Sequence, residues 1–163
     1  MKILLIIDQY DRGNNGTTMT AQRLAHTLAA HGHEVRVVST GNSGNGKYLV
    51  KEHFLPPIVR HIVTKQGMVF ARPDEEVLRE AISWADLVHF LLPFRLSMKG
   101  LEIARELDVP HTAAFHVQPE NITYTLHLGK QQAVTPGFTV SSGTGFINIS
   151  VIFTVPAVLS QGS

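Results

Sequence analysis

The stretch Met1-Lys2-Ile3-Leu4-Leu5-Ile6-Ile7-Asp8, with the loop Gln9-Tyr10-Asp11-Arg12-Gly13-Asn14-Asn15-Gly16 behind it, decides the fold. An unbroken apolar run that stops at a carboxylate is the pattern of a strand covered on both faces. The run is shorter than a secretory h-region and no small-residue cleavage site follows, so it reads as a buried strand and not as a signal peptide. The loop is turn-forming by composition. Beyond it Met19, Ala21, Leu24, Ala25, Leu28 and Ala29 recur at helical spacing. Thr17 or Thr18 is placed to cap that helix and Gly32 to end it.

Working outward, Glu34-Val35-Arg36-Val37-Val38 is a second strand, and Gly41 to Lys47, rich in Gly, Asn and Ser, is expected to be mobile. Tyr48 to Phe70 has room for one strand and a short helix. Pro73-Asp74-Glu75-Glu76 opens a helix to about Trp84, because proline suits a first turn and acidic groups there favour the amide dipole. Asp86 to Leu92 is a buried strand. Ser97 is expected to cap a helix of Leu101, Ile103, Ala104 and Leu107 that Asp108 and Pro110 stop. His111 to His116 is a further strand, and Pro119-Glu120 starts a helix through Ile122, Leu126 and Leu128. Strands alternating with helices imply an α/β, Rossmann-like parallel sheet with helices on both faces. Ligands bind such sheets beyond the carboxyl ends of the strands. That directs attention to the loops Asp8–Thr18, His89–Arg95 and His116–Asn121.

The chain has 163 residues, enough for one ordinary domain. Lys+Arg number 14 against Asp+Glu 13, a net charge of +1, which gives no footing for nucleic-acid binding. With no cysteine, disulfides, thiolate nucleophiles and Cys-type zinc sites are excluded, and a cytoplasmic location is expected. No apolar run approaches the roughly eighteen residues of a membrane span. All 27 charged residues lie between Lys2 and Lys130, and Gln131 to Ser163 contain neither charge nor histidine. Ordinary domains are about a quarter charged throughout. Residues 1–130 are therefore expected to form the domain and 131–163 a tail foreign to it, through frameshift or fusion.

Several groups carry chemistry. Gly13-x-x-Gly16 lacks the dinucleotide pattern, and the second strand ends in Ser39-Thr40 with no carboxylate for a ribose. A glycine loop entering a helix still offers amides and a positive dipole end to phosphate; a plain strand-to-helix turn fits the spacing equally. His31-x-His33 lies on the side opposite the ligand-binding edge and reads as surface histidines. His89 lies within a strand, either as a hydrogen-bonded core residue or as a site residue. His116, at the carboxyl end of its strand, is followed by Gln118, Glu120 and Asn121. That cluster can hydrogen-bond sugar hydroxyls or move protons, or serve as a capping loop. Residues 47–72 carry Lys47, Lys51, Arg60, Lys65 and Arg72 among apolar side chains, fitting a packed element with a solvated face or a surface resting on anionic lipid.

The first 130 residues resemble the N-terminal domain of family-4 glycosyltransferases, retaining enzymes of the GT-B fold. The resemblance rests on Gly13-Asn14-Asn15-Gly16, Gly32-His33-Glu34-Val35, Ala85-Asp86-Leu87-Val88-His89 and Ala113-Ala114-Phe115-His116-Val117-Gln118-Pro119-Glu120-Asn121-Ile122. It implies hexose transfer from a nucleotide sugar to a lipid or saccharide acceptor, with no bound metal and no cofactor beyond the donor. It places Gly16, with Asn15 beside it, near the donor diphosphate and His116 at the reaction centre. His89, Gln118, Glu120 and Asn121 would contact substrate. The family usually has Gly-Gly where this chain has Asn15-Gly16. Its donor-binding domain, with a paired-glutamate motif, has no counterpart in these residues. The expectation is a truncated transferase, inactive alone and resting at the inner face of the membrane through 47–72. The alternative is a binding module completed by a separate donor-domain chain.

Overall fold

The structure, a computed structural model, describes residues 1–11, 16–57, 60–61, 69–114, 142–143 and 146–147. In chain order the elements are β1 (Lys2–Gln9), α1 (Gly16–Ala30), β2 (Glu34–Thr40), β3 (Lys47–Leu49), α2 (Glu75–Trp84), β4 (Leu87–Phe90), α3 (Arg95–Glu106) and β5 (His111–Ala113). Five parallel strands form one sheet in the order β3-β2-β1-β4-β5. A separate antiparallel pair joins β6 (Ser142–Gly143) to β7 (Phe146–Ile147).

The opening apolar run is the central strand. Past Lys2, every residue of β1 is buried. Side chains alternate between faces. Leu4 and Ile6 join Val38, Val88 and Phe90 beneath α2 and α3, where Leu78, Ile82, Leu96 and Ile103 close the layer. Ile3, Leu5 and Ile7 join Val37 and Leu91 beneath α1, met by Ala21 and Ala25. At Gly100 α3 crosses the sheet so closely that a Cβ would stand 2.9 Å from the Phe90 ring and 3.1 Å from Ile6 Cδ1.

Helix boundaries follow local chemistry, with two corrections. Asp74 caps α2, accepting from Val77 N–H at 3.3 Å, and the expected acidic groups Glu75 and Glu76 lie in its first turn. Ser97, expected as a cap, lies inside α3: the helix already starts at Arg95, Phe94 is the N-cap without a side-chain bond, and Ser97 is buried. Thr18 likewise sits inside α1, and its hydroxyl donates to the Gln9 carbonyl at 3.1 Å, tying helix to strand.

The stretch 41–47, expected to be mobile, is pinned at both ends. Val37 N–H donates to Gly46 O at 2.9 Å, and Asn42 N–H donates to the Asp11 carboxylate at 2.6 Å. Polar composition identified a loop but not its anchors. The expected boundary near residue 130 lies outside the described residues.

Candidate functional site

Strand order reverses at β1: its chain neighbour β2 lies on one side and β4 on the other. The connections therefore part between β1 and β4, and it is beyond the carboxyl ends at such a switch point that parallel sheets take ligands. Gly16 at the start of α1, the β4–α3 connection Leu91–Phe94 and Ala114 after β5 lie at that edge of the sheet.

Side chains knit this edge together. Thr40 Oγ1 donates to the Asp8 carbonyl at 2.7 Å, and Gln22 Nε2 donates to the Tyr10 carbonyl at 2.7 Å. Lys47 Nζ donates to both Asp11 oxygens at 2.8 Å and to Thr40 O at 2.9 Å. Lys47 keeps only 7% of its side chain exposed, so this cation, counted among the surface charges of 47–72, is committed inward. Partial burial pushes Asp11 up, but Lys47 and the Asn42 N–H outweigh it and hold the carboxyl below its usual range. Burial raises the neighbouring Tyr10 phenol, and the Asp11 charge adds to the shift.

Asp8 sits deeper, where the β1–β2 register shifts between Ile6 and Gln9. It is 1% exposed. One oxygen accepts from Ala71 N–H at 2.8 Å, while Oδ2 is buried with no partner among the described residues. Burial, opposed only by backbone hydrogen bonds from Ala71 and from its own amide, pushes its carboxyl up to about 7.

Of the site residues expected from sequence, Gly16 and His89 are described. Gly16 opens α1, and among the described residues no atom lies within 4 Å of where its Cβ would stand. His89 Nδ1 lies 2.6 Å from Thr112 Oγ1, its register partner on β5, and burial lowers its pKa. The neutral ring is thus engaged by one nitrogen within the sheet. Asn15, His116, Gln118, Glu120 and Asn121 lie outside the described residues. Among the described residues no three His, Cys, Asp or Glu side chains gather to hold a metal, and His31 Nδ1 lies 2.8 Å from Thr27 O at the far end of α1. Sequence reasoning missed Asp8 and the Asp11–Lys47 pair as site members. The signal for Asp8 was present, since a carboxylate ending an apolar run carries burial with it.

A groove of about 890 Å³ runs along α3, lined by Pro73, Glu75, Arg95, Lys99, Glu102 and Arg105. Glu75 pairs with Lys99 at 3.1 Å, and Lys99 with Glu102 at 3.3 Å, so much of its charge is internally compensated.

A parallel α/β sheet with a glycine-started helix at its switch point defines a Rossmann-like domain. The sequence matches glycosyltransferase family 4 over residues 14–138, most of the chain, and the protein belongs to that family. The match runs past Lys130, where the resemblance was expected to stop. The chain is also similar to the alpha-monoglucosyldiacylglycerol synthase of Streptococcus pneumoniae, at 26% identity over 149 residues. That alignment covers 91% of this chain and 33% of the relative, so the chain spans about a third of that protein's length. Among the described residues no helix is long and apolar enough to cross a membrane.

Proposed function

We propose that these residues form the acceptor-side half of a retaining hexosyltransferase, which moves a sugar from a nucleotide donor to a lipid or saccharide acceptor. The family match across the parallel sheet carries this reading. The name of the streptococcal relative favours glucose as the sugar and diacylglycerol as the acceptor. In the reaction the bond from the sugar's anomeric carbon to the donor phosphate breaks and a bond to the acceptor oxygen forms on the same face. The nucleoside diphosphate leaves with its charge, and the acceptor hydroxyl gives up its proton. Gly16 and Asn15 take the diphosphate side, His116 the reaction centre, and His89, Gln118, Glu120 and Asn121 the substrates. No metal or organic cofactor enters.

A departing diphosphate needs fixed positive charge around it. At the carboxyl edge of the sheet Lys47 is spent on Asp11. The chain by itself is therefore expected to transfer little or no sugar. Peripheral contact with the inner face of a membrane through 47–72 is supported by Phe54, which is 83% exposed.

The test incubates the purified chain with radiolabelled nucleoside-diphosphate hexoses and diacylglycerol micelles, with and without the donor-side half of the streptococcal relative as a separate chain. Diacylglycerol should bind the chain, and no glycolipid should form from the chain alone. Turnover near that of the intact relative would overturn the inactivity. Failure to bind any lipid or saccharide acceptor would overturn the acceptor-side role. Restored transfer through a tight two-chain complex would favour the module completed by a partner.

A further inference from the structure

Asp8 makes a side-chain hydrogen bond with a ribbon whose Val50 and Ala71 also pack into the core layer with Leu4, Ile6 and Val38. Residues 50–53 leave β3 and meet 70–72 as they return toward α2. His53 N–H donates to Phe70 O and Arg72 N–H to Lys51 O, each at 2.7 Å, around the antiparallel bridge Glu52–Ala71. In that pattern the Ala71 N–H points out of the ribbon, away from its strand partner. Asp8 Oδ1 takes it at 2.8 Å, joining the ribbon to the carboxyl end of the central strand. The backbone bond from Val50 N–H to Ser39 O, at 3.1 Å, seats the other limb.

The second carboxyl oxygen is buried and has no hydrogen-bond partner among the described residues. Among the described residues, the charged and titratable groups on the elements around Asp8 are Lys51, Glu52, His53 and Arg72 on the ribbon, Tyr10, Asp11 and Lys47 beyond β1, Glu34 and Arg36 on β2, His89 on β4, and Arg95 at the start of α3. Among the described residues none forms an ion pair with Asp8: Lys47 is taken by Asp11, and Lys51, Glu52 and Arg95 are exposed. The carboxyl is therefore comfortable with its proton and uncomfortable without it. Protonated, it still offers Oδ1 to Ala71. Ionised, it gains a stronger bond to Ala71 but leaves a bare charge on Oδ2 that only water can relieve, and water reaches it only if the ribbon lifts.

We propose that Asp8 is a proton-operated latch, seating the ribbon 50–53/70–72 on the carboxyl edge of the sheet when protonated and loosening it when ionised. The latch is a property of the fold and stands whether or not the chain handles sugars. Its sign follows from linkage. Closure raises the carboxyl to about 7 from an ordinary 3.8, so the closed form binds the proton more tightly than the open one. Seating is complete at low pH and is lost progressively as pH rises toward 7.

Hydrogen exchange of the full 163-residue chain, read by NMR at the Ala71, His53 and Arg72 amides, tests it. After correction for intrinsic exchange, opening at Ala71 should rise by about tenfold per pH unit from pH 5 to near 7, then level off. The Asp8 side-chain carboxyl carbon should titrate over the same range. Asp8→Asn keeps the acceptor for Ala71 and carries no charge, so its opening should be flat with pH. A flat profile in the unmutated chain, an Asp8 midpoint in the ordinary carboxylate range, or a slope that persists in Asp8→Asn would each overturn the latch. If Asp8→Asn does not fold, the first two readouts still decide.

Discussion

At Gly41 the backbone turns with φ +104°, and a Cβ there would stand 2.2 Å from Asp11 Oδ2. Two penalties therefore meet at one position. A side chain is strained at that φ, and it would push the Asp11 carboxylate off Lys47 and the Asn42 N–H. Gly41→Ala should lose about 2–4 kcal/mol in urea unfolding, the strain alone being about 1–3 kcal/mol. A double-mutant cycle with Asp11→Ala separates the two. If the clash matters, at least about 1 kcal/mol of the Gly41→Ala loss disappears once Asp11 is gone. Strict additivity would leave backbone strain as the whole cause. None of this pairing was legible in the sequence. Asp11 and Lys47 are 36 residues apart, and no periodicity links a loop aspartate to a lysine at the start of β3. Asp8 was half legible, because the run it ends announces burial; what buries it is a ribbon some sixty residues away.

Elements were read more securely than residues. Each strand with an unbroken or nearly unbroken apolar run was found, and the alternation of strand and helix fixed the parallel sheet, because only a covered sheet buries both faces of Leu4–Ile7. Errors fell at helix starts, where Ser and Thr suggest caps but packing chooses the first turn. Ser97 is the clearest case. Its hydroxyl is wholly buried in the first turn of α3 and has no hydrogen-bond partner among the described residues. An unsatisfied buried hydroxyl costs about 1–3 kcal/mol, and alanine also favours helix slightly. Ser97→Ala should therefore raise stability, by up to about 2 kcal/mol, visible as a higher thermal midpoint. A clear fall would show that Ser97 bonds to something beyond the described residues, placing it at the carboxyl edge of the sheet beside the start of α3. The histidine cluster at His116 was legible as chemistry, through residue types at a strand end, but its geometry lies outside the described residues.

For the molecule as a whole, every buried hydrophobic side chain among the described residues falls between Ile3 and Ala104. Both core layers close within that span, α1 on one face of the sheet and α2 with α3 on the other. The stretch Gln131–Ser163 carries Val, Ile and Phe without a single charge, a composition that favours association with other chains. Deleting it should leave the thermal midpoint within about 3 °C, since a loss of 1 kcal/mol would move a domain of this size by about 2–8 °C, and should raise soluble yield. The competing expectation is specific. β5 is an edge strand whose outer side no described strand covers, and an open edge is a liability that folds usually pair or hide. If the deletion lowers the midpoint by more than about 5 °C, the stretch completes the sheet or its cover, and the domain boundary near residue 130 is displaced toward the C-terminus. An unchanged midpoint together with better solubility would put the boundary where the charges stop.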